Sequence, residues 1–317
     1  MKPDNLTVAY APHIHDRTTT RRIMLDVVIA LCPAFIASFL VFGPRAVLVT
    51  AVCVAACVFF EWAFNKSLKR KCTIKDLSAV ITGMLLAFNL PVTIPLWQAV
   101  FGSFVAIIFV KMLFGGLGKN FANPAVVARV VMFLAFPIAM TNWYVPHWNV
   151  PLLDTISGAT PLVYIARGDF YSMEKVWYMF LGVHRGSLGE TSELALLIGG
   201  IYLLARRVIT WHAPVAFIGT VFVLTALIGN HSVYQPLFHI FSGGLFLGAI
   251  FMATDYVTTP MTKTGRAIFG LGCGLFTVMI RLYGSYPEGV SFAILLMNMI
   301  VPFINKLTAN KALGGKK

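Results

Sequence analysis

The chain has little charge for its length. Of its 317 residues, 12% are charged and 58% are hydrophobic, whereas soluble domains have about 25% charged and 45–50% apolar residues. A soluble fold of this size needs a charged surface, so the composition excludes a soluble protein. A cleavable leader is also missing, because residues 1–20 are polar and the first apolar run, from Ile23, continues as a full span.

Residues that bind metal clusters are scarce as well. The five cysteines include no Cys-x-x-Cys pair, which excludes a zinc site and a complete iron–sulfur cage within this chain. Cys53 and Cys57 share a helix face at i, i+4, as expected of small apolar residues in a spanning helix. No Gly-x-Gly-x-x-Gly segment follows a strand, so we expect no metal site, no nucleotide fold and no complete active site in the chain alone.

The net charge of +13 is concentrated in short clusters between apolar runs. This placement is typical of loops held on the cytoplasmic side of a bilayer and argues against a nucleic-acid partner. With the N-terminus inside, all but five of the 25 lysines and arginines fall on the inner side. The charge bias therefore predicts that both termini are cytoplasmic.

Ten apolar runs predict ten membrane spans. Eight are long or nearly so: 23–42, 46–64, 95–114, 124–140, 194–210, 213–229, 267–283 and 290–305. The other two, 77–90 and 239–254, are interrupted by glycine, serine and polar ends, which indicates short or broken helices.

The two short helices are related to each other. An offset of 165 positions (256 − 91) aligns residues 91–95, Pro-Val-Thr-Ile-Pro, with residues 256–260, Tyr-Val-Thr-Thr-Pro. Five spans in each half make the halves run in opposite directions, an arrangement that transporters use to place a polar site near the midplane. Chance matching between apolar segments is the alternative.

The predicted fold is an all-α polytopic membrane protein with about ten transmembrane helices, arranged as two inverted five-helix repeats with two short or broken helices. Its predicted parts are a cytoplasmic N-terminal segment (1–22), a first five-helix repeat (23–140), an extracytoplasmic loop (141–193), a second repeat (194–306) and a basic cytoplasmic tail (307–317). A connection as long as 141–193 is seldom only a linker.

That loop contains Asp-Thr-Ile-Ser-Gly-Ala-Thr at residues 154–160. The hydroxyl of Thr160 follows two very small residues, and Gly158 allows a sharp turn. An enzyme carrying a phosphate group would be able to approach such a threonine closely, with Asp154 placed to help hold a metal ion. An ordinary turn is the alternative on composition alone.

The pattern D-x-x-S-G-A-T resembles the flavinylation motif of the NqrB/RnfD family of membrane subunits. The resemblance implies that a flavin transferase cleaves FAD and attaches FMN to the final threonine through a phosphoester bond. Thr160 would then be the attachment residue, and the recognition motif would comprise Asp154, Ser157, Gly158 and Ala159. The phosphate link leaves the flavin ring unaltered, so its potential would depend on its surroundings.

Further motifs in the same order extend the resemblance over nearly the whole chain. They are Pro-His-Ile-His with Thr-Arg-Arg-Ile-Met-Leu-Asp (12–15 and 20–26), Gly-Lys-Asn-Phe-Ala-Asn-Pro-Ala (118–125) and Ala-Thr-Asp with Pro260 (253–260). The chain begins close to the first span, without the long N-terminal extension of NqrB, which favours the RnfD branch. In NqrB-like proteins the asparagines matching Asn120 and Asn123 lie near a second, non-covalent flavin, riboflavin. Capping of the following helix is the alternative role for this Asn-Pro turn.

Family membership would imply a function in electron transport. The chain would be a membrane subunit of a bacterial ferredoxin:NAD oxidoreductase complex that translocates Na+ or H+ across the inner membrane. Its partners would be RnfA, RnfB, RnfC, RnfE and above all the flavoprotein RnfG, with the flavin transferase needed for maturation. A non-redox channel or small-solute transporter with the same inverted-repeat fold is the alternative.

Ionisable residues inside the predicted spans are functional candidates. Asp255 follows the second broken helix and is the candidate for an ion or flavin contact, with pairing to Lys263 or Arg266 as the alternative. We expect Lys111 and Arg129 to extend toward the inner surface, and Asp26 to pair with Arg22 at i, i+4. Glu61 is expected close to Lys66 and Lys69, and His239 is expected to be a hydrogen-bonded histidine at a helix end.

Overall fold

A computed structural model describes residues 18–70, 73–143, 173–182, 186–190, 192–228, 234–284 and 288–309. Every regular element within these ranges is a helix. The first part of the chain forms α1 (Thr20–Phe42), α2 (Pro44–Ser67), α3 (Ser78–Phe88), α4 (Leu96–Phe104), α5 (Pro124–Ala135) and α6 (Pro137–Thr141). A 3-10 turn, Ile74–Asp76, precedes α3, and α4 continues directly into a π-helix, Val105–Met112.

The remainder of the chain forms α7 (Met173–Leu181), α8 (Glu193–Ala205), α9 (His212–Ile228), α10 (Tyr234–Ile240), α11 (Leu245–Leu247), α12 (Lys263–Tyr283) and α13 (Val290–Leu307). Here too a π-helix, Gly248–Met252, follows directly, in this case from α11. Each half thus contains one π-helical stretch, a feature that is rare and often lies at functional sites.

Four helices, α1, α2, α12 and α13, are long and apolar enough to cross a membrane. The pair Tyr234–Ile240 and Leu245–Met252, bent by 60°, would make a fifth crossing. Five shorter apolar helices of 10–17 residues complete the set: α3, α4 with its π-helix, α5, α8 and α9. Each of the ten apolar runs contains one of these helices or the bent pair, so the all-helical, multi-pass class is confirmed. The number of crossings and the inversion of the halves stay predictions.

Local signals set the helix boundaries. The side chains of Thr19 and Ser192 accept hydrogen bonds from backbone N–H groups in the first turns of α1 and α8, which satisfies donors that a helix start leaves free. Gly43 has a φ of +73° between α1 and α2, a conformation that glycine adopts at little cost. Pro44 then begins α2, where its missing N–H is not needed.

Glycines allow the helices of the core to approach each other closely. A Cβ on Gly199 in α8 would lie 2.1 Å from the carbonyl oxygen of Ala30 in α1. In α12, a Cβ on Gly270 would lie 2.5 Å from the carbonyl oxygen of Ala213 in α9. Small residues at such contacts are typical of membrane helices, which associate through close packing.

Candidate functional site

The described residues enclose a cavity where the start of α3, the π-helix after α4, the turn before α5 and the segment after Met252 meet. Measured with its open mouth, the cavity has a volume of about 760 Å³, within the range of ligand pockets. Its walls are mainly apolar, with Ile81, Leu85, Leu117 and Phe251 among them. Its polar groups include Ser78, Lys111, Asn120, Asn123 and Asp255. The three site candidates predicted outside the flavinylation motif therefore line one cavity.

Asn123 is engaged in holding the fold together. Its Oδ1 accepts from the backbone N–H groups of Ala125 and Val126, at 3.0 and 3.5 Å, and so caps α5. Its Nδ2 donates to the carbonyl oxygen of Met252 at 3.3 Å, which ties the start of α5 to the second half. Helix capping, one of the two roles considered for this turn, is what the structure shows for Asn123.

Asn120 differs from Asn123 in having a buried amide oxygen, Oδ1, with no hydrogen-bond partner in the described part of the chain. A buried acceptor without a donor costs free energy, and the cavity wall where Asn120 lies leaves room for a ligand to supply one. The donor set therefore fits a planar molecule that carries both apolar surface and N–H or O–H groups.

Asp255 faces the cavity without a cationic partner. Its Oδ2 accepts from the Thr258 hydroxyl at 3.1 Å, and among the described residues it forms no ion pair. The predicted alternative of pairing with Arg266 is wrong, because that guanidinium donates to Pro260 and Thr210 instead. Burial raises the pKa of the Asp255 carboxyl above its ordinary value, although hydrogen bonds from Thr258 and nearby backbone N–H groups oppose the shift. The other suggested partner, Lys263, is not paired with Asp255 either.

A buried ion pair borders the cavity. The Lys111 ammonium lies 2.7 Å from Glu61 Oε2 and 2.7 Å from Ser78 Oγ, and the two charged side chains are 3% and 0% exposed. The prediction that Lys111 extends to the inner surface is wrong, because Glu61 holds it inside. Thr73 completes the network by donating to the other Glu61 oxygen.

The neighbours expected for Glu61 are not its partners. The Lys66 ammonium stands over the Trp62 ring, 4.6 Å from its centroid, and Lys69 forms none of the ion pairs found among the described residues. Side chains at i+5 and i+8 point away from Glu61, whereas Lys111 meets it from another helix.

Asp26 pairs across two helices rather than along its own. Its carboxylate accepts from the Tyr202 hydroxyl at 2.9 Å and from Arg206 at 3.3 Å, both in or at the end of α8. The predicted i, i+4 pair with Arg22 is therefore wrong. The packing of α1 against α8 brings Asp26 to these groups instead.

Arg129 and His239 also differ from expectation. Arg129 is 4% exposed, donates to Asn89 Oδ1 at 2.5 Å and forms an ion pair with Glu288, so it does not reach the inner surface. His239 is 2% exposed, and neither ring nitrogen has a partner in the described ranges. Only its carbonyl is engaged, accepting from Arg281.

Lys111, Glu61 and Ser78 are the residues at this site that sequence reasoning placed wrongly or passed over. The available signal was a lone ammonium and a lone carboxylate within separate apolar runs, since such groups in a membrane pair with each other. The separation of 50 positions between Glu61 and Lys111 gave no local pattern that would identify the partners.

The flavinylation motif lies outside the described residues. This applies to Thr160 and to its recognition residues Asp154, Ser157, Gly158 and Ala159. Their roles stay predictions, supported by the sequence pattern.

Comparison with known proteins identifies relatives along nearly the full chain. A model of the NQR2, RnfD, RnfE family matches residues 7–314. The chain is 45% identical over 315 residues to a subunit, designated D, of the Na(+)-translocating ferredoxin:NAD(+) oxidoreductase complex of Acetobacterium woodii, covering 99% of this chain and 96% of that protein. It is 39% identical over 328 residues to the subunit of the same designation in the proton-translocating ferredoxin:NAD(+) oxidoreductase complex of Clostridium ljungdahlii, covering 100% and 98%. The subunit so designated in an ion-translocating oxidoreductase complex of Escherichia coli is 35% identical over 348 residues, covering 98% and 99%.

Proposed function

Because the chain belongs to the NQR2, RnfD, RnfE family, we propose that it is the RnfD subunit of an ion-translocating ferredoxin:NAD oxidoreductase complex. In this role it is a translocase subunit of the bacterial cytoplasmic membrane that relays electrons through FMN bound covalently to Thr160. The relatives named for Na+ and for protons are similar to this chain over almost its whole length, so the proposed cargo is one of these two cations.

The proposed topology has ten crossings in two inverted repeats, with both termini cytoplasmic and the 141–193 loop outside. A similarity between the halves supports it. In the first half, Lys111 from the fourth helix donates to Ser78 at the start of the short helix α3. In the second half, Arg281 from the fourth helix donates to the carbonyls of His239 and Ser242, just before the short helix α11. A basic side chain thus meets the start of the short helix in both halves.

The proposed relay depends on the loop motif. The spacing Asp154-x-x-Ser157-Gly158-Ala159-Thr160 supports recognition by a flavin transferase and a phosphoester at the Thr160 hydroxyl. The loop would present this group to the flavoprotein subunit RnfG on the outer face, with RnfA, RnfB, RnfC and RnfE as the other partners. The flavin would supply the electron-transfer chemistry when bound, whereas the protein would hold it at a defined distance from its partners.

A second flavin, riboflavin, is proposed for the cavity, and the unpartnered Oδ1 of Asn120 in its wall carries this assignment. Asn120 would accept a hydrogen bond from the ring system, Asp255 would accept from a hydroxyl of the side chain, and Phe251 would exclude water. Asn123 would shape the cavity by fixing the start of α5.

In-gel fluorescence tests the covalent flavin. The full chain, co-expressed with its flavin transferase, should fluoresce under ultraviolet light on a denaturing gel, and Thr160→Ala should abolish the signal. Thr155→Ala is the matched control, because it removes a hydroxyl from the same segment at a position that the motif leaves free. A dark wild-type band would contradict the relay and favour the non-redox channel or transporter.

Flavin extraction tests the cavity separately. In a Thr160→Ala background, denaturation of the purified complex should release riboflavin, and Asn120→Ala should reduce the amount. Asn142→Ala serves as the control, since Asn142 lies outside the cavity lining. Equal release from Asn120→Ala and the control would overturn the cavity assignment while leaving the Thr160 relay intact.

A further inference from the structure

A second group of charged side chains is buried where the two halves of the chain meet, apart from the cavity. We call it the seam cluster and define it by Arg129 in α5, Glu190 before α8, Glu193 at the start of α8, Arg281 in α12 and Glu288 before α13. All five are at least nine-tenths buried or close to it, and Glu288 is the most exposed, with 10% of its side chain reachable by solvent.

The arginines and two of the acids form a connected arrangement. Arg129 contacts Glu288 directly and lies 3.9 Å from Glu190 Oε2. Arg281 is close enough for its charge to act on both Glu190 and Glu288. Gly244 permits this approach, because a Cβ at that position would lie 3.2 Å from the Arg129 guanidinium.

The seam cluster also contains polar atoms that no described residue satisfies. Both carboxyl oxygens of Glu193 lack a hydrogen-bond partner, as do Glu288 Oε1 and Arg281 Nε. Glu193 is 1% exposed, and the charge of Glu190 acts on it. The two ring nitrogens of the adjoining His239 are unpartnered as well.

The charges of the seam cluster do not balance when every group is ionised. Its described residues provide three carboxyl groups and two guanidinium groups, and a net charge buried in a low-dielectric interior is costly. One proton on a carboxyl would make the cluster neutral. A metal cation is disfavoured, because the two guanidinium groups would repel it. The His239 ring is a poorer place for the proton, since Arg281 lies against it.

We propose that the seam cluster is a proton-binding site in which Glu190, Glu193 and Glu288 share one exchangeable proton. Glu288 is the group through which the proton exchanges with solvent, because it alone of the three acids retains exposed surface. On release, the carboxyl O–H bond breaks, the proton passes to a water molecule, and no electron moves.

The electrostatics of Glu288 agree with this assignment. Burial raises the pKa of its carboxyl to about 7, and the neighbouring Glu190 adds to the shift while Arg129 and Arg281 oppose it. These are the charged groups that face Glu288 from the other elements in the described part of the chain; Glu193 and His239 adjoin them.

Infrared difference spectroscopy of the full chain in lipid nanodiscs tests the proposal. We expect a protonated-carboxyl band that shifts in D2O and disappears as the pH is raised through neutrality. Because two carboxylates balance two guanidinium groups, each of the single variants Glu190→Gln, Glu193→Gln and Glu288→Gln should lose the band. Asp26→Asn should keep it, because that carboxylate is already paired with Arg206.

Two outcomes would overturn the shared proton: a wild-type spectrum with no titrating carboxyl band, or a band that persists in all three glutamine variants. A titration midpoint that moves with Na+ concentration would instead assign the site to a metal cation. Glu288→Asp guards against misfolding, since it retains a carboxyl and should keep the band with a shifted midpoint. The readout does not require flavin, so it is independent of the relay at Thr160.

Discussion

The ammonium group of Lys111 lies 2.7 Å from the carboxylate of Glu61, and both side chains are almost completely withdrawn from solvent. The pair joins α2 to the π-helix that follows α4, and Ser78 extends it to the start of α3. Three elements of the first half are therefore held together by one ammonium group next to the cavity.

Removal of one member of this pair should be strongly destabilising. Glu61→Gln leaves the Lys111 ammonium buried without a counter-ion, and we expect a loss of about 3–5 kcal/mol in the free energy of unfolding. Unfolding in mixed micelles, followed by circular dichroism, measures the change. The double variant Glu61→Gln with Lys111→Met should recover most of the loss, and a double variant as unstable as the single one would contradict this explanation.

A more exposed ion pair provides a comparison. Asp26→Asn weakens the contact with Arg206, whose side chain is 42% exposed, and we expect a loss of only about 1 kcal/mol or less. The same unfolding measurement applies. If Asp26→Asn and Glu61→Gln cost equal amounts, burial does not govern the energetics of these pairs.

The two asparagines of the turn before α5 should separate stability from binding. Asn123→Ala removes the cap of α5 and should cost about 1 kcal/mol, whereas Asn120→Ala should leave the thermal midpoint unchanged. Thermal unfolding of the flavin-free chain gives both values. A destabilised Asn120→Ala variant would show that its amide supports the fold rather than a ligand.

Close helix packing at Gly199 predicts a difference between two glycines. Gly199→Ala places a methyl group against the carbonyl of Ala30, a backbone atom that cannot move aside easily, and we expect a loss of about 1–3 kcal/mol. Gly219→Ala in α9 meets nothing within 4 Å and should be neutral or stabilising by up to about 1 kcal/mol. Chemical or thermal unfolding of the two variants provides the comparison, and equal effects would contradict the packing argument.

The seam cluster should make stability depend on pH. The folded-state pKa of Glu288 is raised from 4.5 to about 7, so the folded chain binds more protons than the unfolded chain between these values. Stability should therefore fall as the pH rises from about 4.5 to about 7. Thermal midpoints across this range should show the decline in the wild type, and Glu288→Gln should flatten it. A variant with an unchanged slope would mean that another group titrates.

Hydropathy predicts where the helices lie because a segment in lipid must satisfy its backbone hydrogen bonds internally. The helices accordingly fall in the ten apolar runs. Several helices are shorter than the runs, as with α5, which ends at Ala135 although its run reaches residue 140. There Phe136 interrupts the helix before Pro137 begins α6.

Side-chain partners were far less predictable than helix positions. Local spacing suggested Arg22 for Asp26, but the packing of α1 on α8 brings Arg206, 180 positions away, to that carboxylate. The cavity is a different case, because the residues matched to family motifs, Asn120, Asn123 and Asp255, do lie around one space. Motif order captured this grouping, although the motifs contained no information on Lys111.

The π-helix at Val105–Met112 makes the site sensitive to the length of the chain as well as to its composition. Its wide turns are closed by bonds such as the one from Leu113 N–H to the Ile108 carbonyl at 3.0 Å. Deletion of a single codon upstream of Lys111 within this stretch would restore α-helical turns. The remaining side chains would then be rotated by about 100° per residue removed. Lys111 would turn away from Glu61, so an in-frame deletion that preserves hydropathy would break the pair as surely as a charge reversal.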